Sequence, residues 1–284
     1  MHPVTLPGPR GDLFAVIHSP NIAVPTRGWI LHVPAFAEEM NKARPMVRDA
    51  ATDLALQGYF VVILDLYGTG DSAGNFEDAD WQCWKDDVEC SVKWMLDQGA
   101  EQVILWGLRL GCLLAADVVS DGNVPVQELL FWQPVVDGKL FVGQFLRLRT
   151  AASMLRGEKE TLSSLHELLN TDGYLDVAGY RLSVTLIRQL ESVVLAGIHF
   201  DSLSQLHWLE LVAEAGNPPT ALVSSLIEKI ESTDVTVRYD GGAGDRFWST
   251  SEIAFAPNLL SSTKRALAST ALGNHTTDSS VQLP

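Results

Sequence analysis

The stretch Gln102-Val103-Ile104-Leu105-Trp106-Gly107-Leu108-Arg109-Leu110-Gly111-Cys112-Leu113-Leu114-Ala115-Ala116 decides the fold. Its first five residues form a short apolar run, as a strand buried on both faces requires. The residues after Gly111 continue as an apolar helix through Val119. Between them lies Gly-Leu-Arg-Leu-Gly, a tight turn flanked by glycines. A strand, a sharp glycine-flanked turn and a helix are the parts of a nucleophile elbow, in which a strained central residue stands exposed at the sheet edge. Position 109 would normally carry the nucleophilic serine. An arginine stands there, and a guanidinium has no nucleophilic electron pair to offer a carbonyl.

Outward from the elbow, strands and helices alternate. Strands are expected at 13–18, 29–33, 59–64, 129–132, 206–212 and 235–239. Helices are expected at 41–57, 80–97, from 110, 220–231 and 251–268. Alternation of this kind implies a mostly parallel sheet covered by helices on both faces. Between 138 and about 200 the strand signal nearly vanishes and helical periodicity takes over. The expected organisation is a core of residues 1–137 and 203–270, a helical cap inserted at 138–202 and lying over the carboxyl edge of the sheet to bound a pocket, and a disordered polar tail at 271–284.

Two loops support the same core. Asp65-Leu66-Tyr67-Gly68-Thr69-Gly70-Asp71-Ser72 follows a strand and matches an Asp-x-x-Gly-x-Gly-x-Ser pattern. His32-Val33-Pro34-Ala35-Phe36 ends the strand that usually supplies an oxyanion N–H. With the elbow, in this order and spacing, they predict an α/β-hydrolase fold. Pro34, Ala35, Phe36 and Leu110 are the expected pocket and oxyanion-type residues.

A working triad needs an acid after the penultimate core strand and a histidine after the last. Glu214 is available at the first position. The second, Asp240 to Trp248, holds no histidine, and Asp245 is its nearest candidate. His275 lies far along the tail. The degenerate triad is therefore Arg109, Glu214 and Asp245, in which the guanidinium is expected to pair with one or both carboxylates. That trio reads either as a buried ion pair or as an anion-recognition site. Cys112, one helical turn beyond the elbow, is expected to point into packing. Ser72 and Thr69 are expected to satisfy loop backbone groups. Glu38, Glu39 and Lys42 read as the first turn of a helix or as a pocket rim, and His32 as a core residue or one facing the pocket.

The runs Pro34-Ala35-Phe36-Ala37-Glu38-Glu39-Met40-Asn41-Lys42, Trp106-Gly107-Leu108-Arg109-Leu110-Gly111, Trp132-Gln133-Pro134-Val135-Val136-Asp137-Gly138 and Phe247-Trp248-Ser249-Thr250-Ser251-Glu252-Ile253 resemble the exosortase A system-associated hydrolase 2 family. The resemblance covers most of residues 10–265. It implies a bacterial protein encoded near exosortase and exopolysaccharide genes, beside a second hydrolase-like protein. It also implies that an elbow arginine belongs to the family pattern. The nominal activity is ester or thioester hydrolysis or acyl transfer. The residues favour a protein without serine chemistry that binds an anionic or acylated small molecule, or that supports the second hydrolase-like protein. Hydrolysis or acyl transfer by an unconventional nucleophile is the alternative.

The 284 residues carry a net charge of −15, which disfavours nucleic acid and anionic membranes as partners. No run is long enough to span a bilayer and no secretory signal opens the sequence, so a cytoplasmic location is expected. The three cysteines, Cys83, Cys90 and Cys112, read as free thiols. No metal-ligand spacing or dinucleotide fingerprint occurs, and no cofactor is expected.

Overall fold

A computed structural model describes residues 1–271. The polar tail from Gly273, with His275, lies outside the described residues. The core is an eight-stranded sheet: β1 (His2–Leu6), β2 (Leu13–His18), β3 (Gly28–Val33), β4 (Tyr59–Leu64), β5 (Val103–Leu108), β6 (Glu128–Trp132), β9 (Gln205–Val212) and β10 (Thr236–Ala243). Two further strands, β7 (Tyr174–Val177) and β8 (Tyr180–Ser183), form a separate hairpin. The sheet order is β1-β2-β4-β3-β5-β6-β9-β10. From β4 to β10 every neighbour pairs in parallel, while β1 and β2 add an antiparallel edge. All six residues of β5 are buried, as a central strand covered on both faces must be.

Helices α1 (Glu38–Leu56) and α8 (Pro257–Ala271) cover one face, where Met46, Leu54, Trp106, Trp132 and Leu259 form one apolar layer. Helices α2 (Trp81–Asp97), α3 (Leu110–Asp121) and α7 (Ala221–Glu231) cover the other face. Asp80 caps α2, its carboxylate accepting from the Cys83 N–H at 2.8 Å.

Between β6 and β9 the chain forms α4 (Gly138–Leu155), α5 (Leu162–Asp172), the β7–β8 hairpin and α6 (Val184–Ser192). The hairpin corrects the expectation of an insert almost without strands. Its strands are only four residues each, joined by Ala178-Gly179, so their alternation is too brief to stand out between helices. The insert packs on the loops at the carboxyl ends of β3 and β4. Phe141 and Phe145 of α4 meet Phe36 edge-on, and Tyr180 meets Phe76. Two boundaries also shift. α8 begins at Pro257 rather than 251, and β10 runs on to Ala243 rather than ending at Tyr239. The edge strand β1 was not anticipated.

Candidate functional site

The elbow has the backbone its sequence implies. Arg109 sits at φ 55°, ψ −116°, between the end of β5 and the start of α3. This region is costly for any side chain, by about 1–3 kcal/mol, and persists only where the surroundings over-determine it. Three backbone bonds do so: Arg109 N–H donates to the Trp132 carbonyl, and the Arg109 carbonyl accepts from Val135 and Cys112. The flanking glycines are required by space. A Cβ on Gly111 would collide with the Val33 carbonyl oxygen, and one on Gly107 would lie 2.5 Å from Cys112 Cα.

The guanidinium does not meet Glu214 or Asp245, which corrects the expected ion pair. Both carboxylates stand exposed. Because β10 continues through Ala243, Asp245 sits on a turn beyond the sheet edge, and the chain returns with Phe247 and Trp248 buried. Trp248 is what the last loop delivers to the elbow: the Arg109 guanidinium carbon lies 5.4 Å from the centroid of its ring. The ionic partner comes from the other side. Arg109 Nε donates to Glu39 Oε1 at 3.3 Å, and Nη1 donates to the Gln133 carbonyl at 3.4 Å. The side chains of Arg109 and Glu39 remain 17% and 21% exposed. Burial raises the Glu39 pKa above the usual carboxylate range, opposed by the neighbouring guanidinium. Its second oxygen has no hydrogen-bond partner among the described residues.

Glu39 was visible in the sequence only as a first-turn acid or rim residue. In the structure α1 starts at Glu38, immediately after Ala37, which adopts φ 52°, ψ −124°, nearly the Arg109 conformation. That sharp turn swings the first helical turn toward the elbow.

The structure brings Pro34, Ala35, Phe36 and Leu110 together, but around a void of only about 10 Å³. That is near the smallest space that holds one water molecule. Phe36 fills the region, with Phe76, Trp84, Phe141 and Phe145 at ring-centroid distances of 5.0–6.0 Å. An insert bounding an open pocket here was expected; its aromatic side chains instead occupy the space. Cys112 is fully buried and burial pushes its thiol pKa far up, so it is held as an inert apolar group. All three cysteines carry free thiols. Thr69 Oγ1 donates to the Leu66 carbonyl, and Ser72 Oγ donates to the Asp65 carbonyl while accepting from Phe14 N–H, so both hydroxyls serve loop backbone.

Open volume lies elsewhere. A cavity of about 300 Å³ opens between α1 and strands β2, β3 and β4. Leu108, Pro34 and Ala35 form its end nearest the elbow, and His32 forms part of its wall. His32 therefore faces a cavity, though this one is beside α1 and not above the elbow. Burial pushes its pKa down to about 3, so the ring is neutral. Among the described residues no cluster could hold a metal ion, and no helix is long and apolar enough to cross a membrane.

Solved structures with the same architecture include Est1E from Butyrivibrio proteoclasticus with ferulic acid bound. It aligns with a TM-score of 0.64 at 12% identity over 96% of this chain and 100% of its own. The chain has the α/β-hydrolase fold. Mouse alpha/beta hydrolase domain-containing protein 10 aligns with a TM-score of 0.59 at 16% identity, covering 95% of this chain and all of its own. XC6422 from Xanthomonas campestris, described as a serine hydrolase without a lid, aligns at 0.56 and 15% identity over 98% and 96% of the two chains. At these identities the likeness is one of hydrolase fold alone. No protein-family model matches the chain, and no curated protein does.

Proposed function

We propose that this chain is a binding protein built on the α/β-hydrolase fold, without Ser-His-acid catalysis, for an anionic or acylated small molecule. We place it, from its sequence resemblance, in a bacterial exosortase and exopolysaccharide system. The observation that carries the reading is the state of residue 109. The elbow holds its strained backbone, yet the side chain it displays is a guanidinium engaged by Glu39, the Gln133 carbonyl and Trp248. No histidine occurs between Tyr239 and Ala271, so among the described residues no histidine base follows the last strand. The filled space around Phe36 further supports the reading, because an ester needs room beside the elbow for its acyl group. On this account residues 138–202 act as a fixed cap whose phenylalanines close that room.

The test is turnover of short-chain p-nitrophenyl esters and acyl thioesters by the purified protein and by Arg109→Ser. Both are expected to stay at the buffer rate. Restoring the hydroxyl supplies no base and no space, and removal of triad members from working hydrolases lowers kcat by roughly 10⁴–10⁶. Turnover well above buffer by the unaltered protein contradicts the reading.

A further inference from the structure

The geometry points to the α1-side cavity as a ligand site for a medium-chain, hydroxyl-bearing carboxylic acid, its apolar body inside, its hydroxyl on the buried imidazoles and its carboxylate at Arg44 and Arg48. This names the ligand class and the place for the binding role proposed above, and it rests on that reading.

Three observations support it. The first is volume: about 300 Å³ lies at the lower end of the range of small-molecule pockets. Most of the wall is apolar, with Val16, Met40, Ala43, Val47 and Ile63 contributing. Ala43 of α1, 1% exposed, is one of its smallest lining side chains.

The second is a pair of buried rings without full hydrogen bonding. His18 and His32 are 4% and 2% exposed, and both line the cavity. His32 Nδ1 and His18 Nε2 have no hydrogen-bond partner among the described residues. Thr52 Oγ1 lies 2.9 Å from the Arg48 carbonyl oxygen and 3.3 Å from His18 Nδ1, and its one hydrogen serves only one of the two. Either tautomer leaves His18 Nε2 without a partner among the described residues, as a bare lone pair or as an N–H. Burial, then the N-terminal ammonium and Arg48, keeps this ring from taking a second proton; burial does the same for His32, opposed by a backbone hydrogen bond at Trp106 and aided by Arg44. A polar nitrogen left unpaired in a mostly apolar wall costs stability unless something meets it. A hydroxyl on an apolar chain suits either tautomer, because it both donates and accepts.

The third is the mouth. Arg44 and Arg48 are one turn apart on α1, line the cavity and keep side-chain exposures of 44% and 59%. Arg44 spends one nitrogen on Asp65 at 3.0 Å, and Arg48 is paired with its neighbour Asp49. Asp65 lines the same wall, but it is held by Arg44 and by the Asp71 N–H at 3.1 Å. Each guanidinium retains donors for a ligand carboxylate.

The experiment is calorimetric titration of the full chain with octanoate, its methyl ester, and hydroxyoctanoates bearing the hydroxyl near the carboxylate or at the far end. At least one hydroxyoctanoate is expected to bind saturably and roughly fivefold tighter than octanoate, the gain of one net hydrogen bond. The methyl ester should bind more weakly than octanoate. Ala43→Leu, which fills the cavity, should abolish binding while the protein stays folded by circular dichroism. His32→Phe and His18→Phe together should erase the preference for the hydroxyl while retaining octanoate. Absence of saturable binding by every acid overturns the proposal, as does unchanged binding by folded Ala43→Leu. Equal binding of octanoate and both hydroxyoctanoates overturns the role given to the imidazoles. These outcomes are separate from ester turnover, which bears on the elbow alone.

Discussion

The elbow and the α1-side cavity lie within a few residues of each other, since Leu108 lines one and Arg109 makes the other, yet they handle space in opposite ways. At the elbow a strained backbone is pinned by three bonds and its side chain by three neighbours, and the volume a substrate would need holds five aromatic rings. Beside α1 the backbone is regular helix and strand, but the volume is open and two imidazole nitrogens lack partners among the described residues. In this chain the place where the fold would do chemistry and the place where a ligand has room are separate.

That contrast predicts opposite responses to the same kind of substitution. Gly111→Ala adds one methyl group at the elbow, against the Val33 carbonyl, and backbone cannot yield as a side chain can. It should destabilise by about 3 kcal/mol or more in urea unfolding. Stability within about 0.5 kcal/mol of the parent would show that the elbow is less tightly fixed than described.

Arg109→Met comes next. It leaves Glu39 largely buried, with only the weaker field of Lys42 in place of the guanidinium. Breaking a buried pair costs about 3–5 kcal/mol, and the partial exposure of both side chains reduces this to roughly 2 kcal/mol at neutral pH. The sign with pH follows from the raised Glu39 pKa. A carboxyl whose folded pKa lies above its unfolded value binds its proton more tightly when folded. Its cost is absent below the unfolded pKa and develops as pH rises through the folded one. Removing Arg109 raises that folded pKa further, so the deficit of the variant should shrink between pH 7 and pH 5. Melting curves at the two pH values check this. Glu214→Ala and Asp245→Ala, on exposed turns, serve as controls, and loss of stability in either comparable to Arg109→Met would return those carboxylates to the pair.

Ala43→Leu has the smallest predicted effect and the opposite sign. Filling the cavity should stabilise by about 1 kcal/mol, the usual gain from such substitutions. A destabilisation as large as that of Gly111→Ala would mean the cavity is not open space.

Much of this was legible in the sequence. The apolar run before Gly107 and the glycines flanking Arg109 carry the hydrolase fold, because few backbones need that pattern. The arginine at the elbow position and the lack of a histidine between Tyr239 and Ala271 are equally plain. The partner of Arg109 was not. Glu39 and Asp245 are both acids near the elbow in the topology, and choosing between them depends on a turn at Ala37 and on four extra residues at the end of β10, details that periodicity does not encode. Trp248 was passed over for the same reason, as an aromatic just past a charged turn. The α1-side cavity was hidden because its wall is assembled from residues of α1, β2, β3 and β4 that are distant in sequence. His32 marked it only by being a polar residue in an apolar strand.

The central claim, that the elbow is no longer a reaction centre, is tested most directly by site-mapped labelling with a fluorophosphonate, which forms a stable adduct with an activated serine. Intact-protein mass spectrometry after incubation should show unmodified protein. A single stoichiometric adduct, mapped by peptide mass to one serine, would contradict the account and relocate the nucleophile to that residue.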